Sequence, residues 1–234
     1  MNIKSTLIVI FVLIISYLYL DNQDTITQKE YNYDVTIYRD IWGVPHIYGQ
    51  KDSDTAFGLA YAHSEDDFET IQDVLLAVRG TAASVKGKEA APIDYLVGLL
   101  KVWETVDQKY ESDLPLEIRQ ICEAYADGIN LYIEKFPEKA FQELYPVKGK
   151  DIIAGFIFRT PLMFDLDWYI KELMKDTKPE FHDYTHTNTE YSMYGSNVFA
   201  LNKNRTDDGH TRIAINSHQP WTGPVTWYEA HLHS

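Results

Sequence analysis

The tripeptide Gly195-Ser196-Asn197 stands where a polar, aperiodic segment gives way to a β pattern. Cleavage before Ser196 would leave that serine with a free α-amine. The pKa of such an amine is about 7.7–8.0, so the amine can accept the proton of a hydroxyl nucleophile in the same residue. Glycine before the serine leaves room for the hydroxyl to attack the carbonyl carbon of Gly195. By itself, however, Gly-Ser is far more often an ordinary turn.

The neighbouring segments suit a processing junction. Residues 176–195 are rich in Thr, Asp, Glu, His and Tyr and show neither helical nor strand period, which predicts an exposed linker or spacer. Residues 197–201 and 211–215 alternate as two strands around a turn at 205–209, which predicts a hairpin. Ser196 would then be the first residue of the hairpin.

The residues before the linker predict a mainly helical region over 33–175. Two short strands, at 33–38 and 45–49, are expected to meet at a turn containing Gly43. Three apolar patterns of helical period follow, from Asp52 to Arg79-Gly80, from Pro115 to Pro137, and onward from Asp151. The fold class is therefore α+β, a helical region followed by a β-hairpin.

The N-terminal residues predict export. A near-continuous apolar run from Leu7 to Leu20 follows Lys4, which is typical of a signal peptide or an N-terminal membrane anchor over 1–20. A polar linker over 21–32 comes next. The expected location of the body is therefore outside the cytoplasm, periplasmic or membrane-anchored. A net charge of −14 with no basic run excludes nucleic acid as a partner.

Three stretches together resemble the penicillin acylase family of N-terminal-nucleophile (Ntn) hydrolases. They are Arg39-Asp40-Ile41-Trp42-Gly43-Val44-Pro45-His46-Ile47, then 56–66 with Arg79-Gly80, and Gly195-Ser196-Asn197 with Asn216-Ser217-His218-Gln219-Pro220-Trp221. The resemblance implies a zymogen that cleaves itself before Ser196 and then hydrolyses N-acyl amides, with Ser196 as nucleophile and its α-amine as base. His218, the twenty-third residue counted from Ser196, would support the nucleophile and the oxyanion site, as in the acyl-homoserine-lactone and cephalosporin acylase branch.

The resemblance also implies a longer protein. Residues 196–234 would begin a catalytic β chain whose remainder completes the αββα core, supplies an oxyanion asparagine and forms an αβ heterodimer with the first region. The chain alone is then expected to be an inactive precursor fragment. Its substrate stays open among β-lactams, acyl-homoserine lactones and other acyl amides.

Pocket and metal sites are less strongly indicated. By the same resemblance, Thr160, Met163 and Phe164 fall where the acyl pocket is lined, although ordinary helix packing explains them equally well. A structural calcium is disfavoured because Ile170 stands where its glutamate ligand is expected. The His231-Leu232-His233 spacing suits zinc, but no further ligands complete a tetrahedral set. No cofactor or metal site is predicted.

Other functions remain open from the residues. The chain could be a non-catalytic membrane-tethered remnant, an α-subunit module that pairs with a separately encoded β chain, or a small exported binding protein with an apolar groove. Cys122 lies on the apolar side of a helical pattern and is interpreted as packing. The acidic run Glu65-Asp66-Asp67 with Glu69 is interpreted as a solvated helix face.

Overall fold

The computed structural model of the chain describes residues 30–162, 196–218 and 226–234, with the single positions 166, 173 and 177. Contacts divide the chain into residues 1–32 and 33–234, and the helices and strands of the described residues all belong to the second unit. The predicted signal peptide or anchor lies outside the described residues, as do nearly all of the predicted linkers. Within the described ranges, no helix combines the length and apolar character that crossing a membrane requires.

The first element is a β-hairpin, as its sequence pattern predicted. Strands β1 (Val35–Arg39) and β2 (Pro45–Gly49) run antiparallel. The Asp40 carboxylate accepts hydrogen bonds from the backbone N–H groups of Trp42 and Val44, at 2.8 and 3.0 Å, and thereby holds the turn. Gly43 in that turn has φ +85°, a conformation that glycine adopts without strain.

Helix α1 (Asp52–Arg79) follows within the predicted bounds, and Gly80 ends it in the left-handed conformation. Its backbone is not helical at Asp67, a break that the sequence did not reveal. The Asp67 carboxylate accepts the Thr70 N–H at 3.3 Å, as a capping residue does for a new helix. Gly58 lets the sheet lie close to α1, because a Cβ there would be 2.6 Å from Cγ2 of Val35.

Three short helices that the sequence did not place individually come next. They are α2 (Ala82–Lys86), α3 (Ala91–Leu99) and α4 (Val102–Asp113). Helices α3 and α4 contribute Val97, Val102 and Val106 to one of the two apolar clusters of the core. They therefore belong to the mainly helical region that was expected before the linker.

Helices α5 (Leu116–Lys135) and α6 (Gly149–Leu162) complete this region near their predicted positions. Helix α5 crosses α1 at Gly128, where a Cβ would lie 2.3 Å from the carbonyl oxygen of Phe57. Ile129 and Ile133 of α5 pack with residues of α1 in the larger apolar cluster. Cys122 is 5% exposed, which confirms its interpretation as a packing residue.

Arg79 ties the end of α1 to the start of α6. Its guanidinium donates to both carboxylate oxygens of Asp151 at 2.8 Å, and to the carbonyl oxygens of Glu143, Leu144 and Pro146. Asp151 is only 3% exposed, so the pair is largely withdrawn from water. Arg79 thus helps to hold the loop that leads into α6, together with Asn130, whose side-chain amide bonds the backbone N–H and carbonyl of Val147.

The described residues after the predicted junction include three strands. Strands β3 (Ser196–Leu201) and β4 (Arg212–Ser217) form the predicted antiparallel hairpin. A short strand β5 (His231–His233) pairs in parallel with β2, so that the first sheet has the order β1-β2-β5. The mixed helix and strand character agrees with the predicted class, whereas the αββα core is not seen in the described residues.

Candidate active site

Ser196 is the first residue of β3, where the sequence placed it. It pairs across the hairpin with Ser217, and Asn197 pairs with Asn216. His218 follows the last residue of β4 directly. Because paired strands end side by side, the hairpin brings the predicted nucleophile and the predicted histidine to the same end of one element.

A side-chain contact joins the two strands at this end. Nδ2 of Asn197 lies 3.0 Å from Nε2 of His218. An amide nitrogen only donates, so Nε2 of the imidazole is the acceptor in this contact, in the tautomer that carries a proton on Nδ1. The position of His218 is therefore set by the residue next to Ser196, a partner that the sequence reasoning did not identify.

The hairpin is exposed on both faces in the part of the chain that the structure describes. All six residues of β3 are exposed, and Val198 and Phe199 expose 62% and 70% of their surface. Ile213 and Ile215 on β4 expose 65% and 69%. Paired apolar side chains on both faces of a two-stranded sheet are typical of strands that another layer covers.

The predicted acyl-pocket residues are only partly described. Thr160 lies on α6, where its hydroxyl donates to the carbonyl oxygen of Phe156 at 2.7 Å. Met163, Phe164 and Gly195 lie outside the described residues. A cavity of about 480 Å³ elsewhere is lined by Tyr33, Lys51, Tyr110 and Arg119 among others, and includes none of the predicted site residues.

Residues 226–234, which we call the docking segment, contact the region before the junction. The Tyr228 hydroxyl donates to Asp66, and its ring stacks on the imidazole of His63 at 4.4 Å. The Thr55 hydroxyl donates to the carbonyl oxygen of His233 at 3.1 Å. The guanidinium of Arg159 lies 5.6 Å from the ring of Trp227.

The acidic run on α1 is exposed, as expected, but it is not merely solvated. Arg39 donates to Asp66 at 2.9 Å and to Glu65 at 3.1 Å. Burial lowers the pKa of the Arg39 guanidinium, but its bonds to these two carboxylates outweigh burial and raise the pKa well above its usual range. Arg39 therefore holds the Asp66 carboxylate, which also accepts the hydrogen bond from Tyr228. Arg39 belongs to the first of the three stretches that resemble the penicillin acylase family.

The described residues contain no group of three or more His, Cys, Asp or Glu side chains able to hold a metal ion. His231 and His233 instead lie on β5, where the His231 ring stacks on His46 at 4.4 Å and the His233 ring stacks on Tyr48 at 4.3 Å. Ile170, which stands where the resemblance implies a glutamate ligand of calcium, lies outside the described residues.

Comparison with known proteins identifies the family. The family model described as Penicillin amidase matches residues 34–234. The acyl-homoserine lactone acylase PvdQ of Pseudomonas fluorescens (strain Pf0-1) is 23% identical over 221 residues, covering 84% of this chain and 28% of that protein. The penicillin acylase 2 proenzyme of Pseudomonas sp. (strain SE83) is 30% identical over 99 residues, covering 42% of this chain and 13% of that protein.

A solved structure shares the fold. A thermostable penicillin G acylase from Alcaligenes faecalis matches with a TM-score of 0.52 and 23% identity, covering 61% of this chain and 80% of that one. The chain belongs to the penicillin amidase family, a family of amide hydrolases, and the resemblance read from its sequence is confirmed. It spans less than a third of the length of these curated relatives.

Proposed function

We propose that the chain is the precursor portion of an exported amidohydrolase that cleaves N-acyl amides with Ser196 as an N-terminal nucleophile. The observation that supports this most is the hairpin geometry. Ser196 opens β3, and His218 at the end of β4 accepts a hydrogen bond from Asn197, the residue beside Ser196. The proposed nucleophile and the proposed supporting imidazole thus lie at one end of the same hairpin.

Processing and catalysis would use the same hydroxyl. In the first step Oγ of Ser196 adds to the carbonyl carbon of Gly195, the C–N bond breaks, and the nitrogen takes up a proton as the α-amine. Water then hydrolyses the resulting ester and releases the carboxylate of Gly195. In the mature site the α-amine accepts the proton of Oγ while Oγ attacks the carbonyl carbon of an amide. The C–N bond then breaks, the leaving nitrogen takes that proton from the α-amine and departs as an amine, and water cleaves the acyl-enzyme to the acid and free Ser196.

His218 would act on Ser196 indirectly. Its Nε2 is occupied by Asn197, which leaves the Nδ1 proton as its donor. An imidazole in this position can orient the α-amine or a water molecule and can donate from Nδ1 toward an oxyanion. An oxyanion donor stabilises the transition state by about 2.7–4 kcal/mol.

The remainder of a β chain is the partner that this function requires. The exposed apolar residues of β3 and β4 would be covered when further strands complete an αββα core, and the product would be an αβ heterodimer. The relatives are named for acyl-homoserine lactones and penicillin. The proposed substrate class is therefore an N-acyl amide with an apolar acyl group, with Thr160, Met163 and Phe164 proposed to line the acyl pocket.

N-terminal sequencing of the protein from its native source tests the proposal. A chain beginning Ser-Asn-Val-Phe-Ala is expected, and Ser196→Ala should abolish it. Ser217→Ala is the matched control, because Ser217 is the cross-strand partner of Ser196 and should leave cleavage intact. Uncleaved wild-type protein would instead favour the α-subunit module or the non-catalytic remnant.

A further inference from the structure

We infer that the docking segment, residues 226–234, retains the chain that begins at Ser196 on the first region after the bond before Ser196 is broken. The inference rests on the proposed function, because it concerns the two chains that processing would create. The interaction surface consists of the edge of β2 and the adjoining face of α1, and the docking segment binds to it.

Backbone pairing joins residues on the two sides of the junction. Strand β5 adds to β2 in parallel, with His46 opposite His231, Ile47 opposite Leu232 and Tyr48 opposite His233. The two strands lie on opposite sides of the Gly195-Ser196 junction. Their hydrogen bonds do not depend on the covalent connection, so they persist when the junction is cut.

Side chains extend this surface over α1. Asp66 accepts hydrogen bonds from both Arg39 and Tyr228, so a residue of β1 and a residue of the docking segment meet at one carboxylate. Burial raises the pKa of the Tyr228 hydroxyl far above its usual value, and Asp66 raises it further, so Tyr228 stays a donor at neutral pH. The imidazole ring of His63 stacks on the ring of Tyr228.

The outer face of the sheet adds ring contacts. His46 lies against His231 and Tyr48 against His233, with ring centroids 4.4 and 4.3 Å apart. These four residues alternate with Ile47 and Leu232 along the paired strands, so that they share one face. Stacked cross-strand pairs of this kind favour one register of β5 on β2.

The hairpin provides a contrast within the same part of the chain. In the ranges that the structure describes, side-chain contacts that join residues before the junction to residues after it are made by residues 227–233. Strands β3 and β4 are exposed along nearly their whole length. Retention of the second chain is therefore assigned to the docking segment and not to the hairpin.

The test cuts the chain independently of its own chemistry. A recognition site for a specific protease is placed between residues 178 and 190 of the full chain carrying Ser196→Ala, so that self-processing cannot contribute. After digestion, size exclusion under native conditions is expected to show both fragments eluting together. Separation of the two fragments in this otherwise unaltered background would overturn the inference.

Two variants of the cut protein locate the contact. Tyr228→Ala with His231→Ala is expected to lower the retained fraction of the second fragment about tenfold. Phe199→Ala is the matched control, because it removes an exposed aromatic ring from the same fragment and should leave retention unchanged. Equal retention in all three proteins would assign the contact elsewhere and would refute the inference.

A milder change separates loss of the contact from loss of the fold. Tyr228→Phe keeps the ring that stacks on His63 and removes only the donor to Asp66. Its retention should fall between that of the parent and that of the double variant, with an unchanged circular dichroism spectrum before cutting. The failure modes are distinct, because retained fragments with no native self-cleavage would refute only the proposed function.

Discussion

Nδ2 of Asn197 donates to Nε2 of His218 across the open end of the β3–β4 hairpin, over 3.0 Å. Nε2 accepts in this contact, so the imidazole is in the tautomer that carries a proton on Nδ1. It also links His218 to the residue that follows Ser196, so a change at either position alters the surroundings of the serine. An exposed neutral hydrogen bond of this kind contributes only about 0.5–1.5 kcal/mol to stability.

Replacement of His218 should therefore affect hydrolysis far more than folding. In the mature protein from its native source, His218→Ala is expected to lower kcat/KM for an N-acyl amide by about 10²–10³-fold, the effect of losing one oxyanion donor. His218→Gln should recover part of this loss, because an amide still donates and accepts. His210→Ala is the control, since His210 is exposed in the turn of the same hairpin. Equal activity in the His218→Ala and His210→Ala proteins would exclude the proposed role.

The Arg79–Asp151 pair is expected to be the most sensitive ionic contact of the helical region. Asp151→Ala leaves a largely buried guanidinium without its counterion, which should lower the free energy of unfolding by about 3–5 kcal/mol. Asp107→Ala, which removes the exposed partner of Lys150, should cost less than about 1 kcal/mol. Urea denaturation measures both changes in the free energy of unfolding, and its slope with urea concentration should be the same in both variants. Similar midpoints for the two variants would contradict the buried role of Asp151.

Replacement of Gly128 by alanine should lower the stability of the fold, whereas the same replacement of Gly155 on the neighbouring helix should raise it. A Cβ at Gly128 meets the Phe57 carbonyl oxygen at 2.3 Å, so Gly128→Ala must push α5 away from α1 and should destabilise the fold by about 1–3 kcal/mol. Gly155 in α6 has nothing within 4 Å of its Cβ position. Gly155→Ala should therefore stabilise by up to about 1 kcal/mol through helix propensity. Thermal unfolding compares the two, and a stabilised Gly128→Ala protein would show that the two helices can separate at the crossing without cost.

The sequence pattern predicted those helices and strands that are determined by residues close together in the chain. The bounds of α1 followed from its apolar period and from Gly80, and the β3–β4 hairpin followed from alternation around a turn. The break at Asp67 was missed, because an aspartate can either cap a helix or lie on its exposed face and the sequence does not distinguish the two. The pairing of β2 with β5 was missed for another reason. A parallel pair between residues 46 and 231 is set by tertiary contacts that no local period records.

The candidate site divides in the same way. The positions of Ser196 and His218 at one hairpin end could be predicted, because strand pairing places them there. The contact from Asn197 could not, since a side-chain amide next to a serine has many partners available to it. The hydrogen bond from Arg39 to Asp66 on α1 could not be predicted either, because the two residues are far apart in sequence and meet only in the folded chain.

His63, which contacts Tyr228 of the docking segment, should make the stability of the fold sensitive to acid. Its ring stacks on Tyr228, and its Nδ1 lies 3.1 Å from the hydroxyl oxygen of Tyr125 on α5. Burial lowers the pKa of His63 below its ordinary 6.5, although Asp67 and Asp66 on the same helix oppose the change. Burial also raises the pKa of Tyr125 to about 12, so that Tyr125 stays neutral throughout.

The sign of the pH dependence follows from this lowered pKa. Below pH 6.5 the unfolded chain takes up a proton at His63, whereas the folded chain takes it up only at lower pH. The stability that neutral His63 contributes is therefore complete above 6.5 and is lost as pH falls toward the pKa of the folded state. Urea midpoints measured between about pH 7.5 and 5 should decline in the parent and decline less in His63→Phe, which keeps a ring against Tyr228. His210→Phe removes an exposed histidine and should follow the parent, and parallel curves for all three proteins would assign the acid sensitivity to other groups.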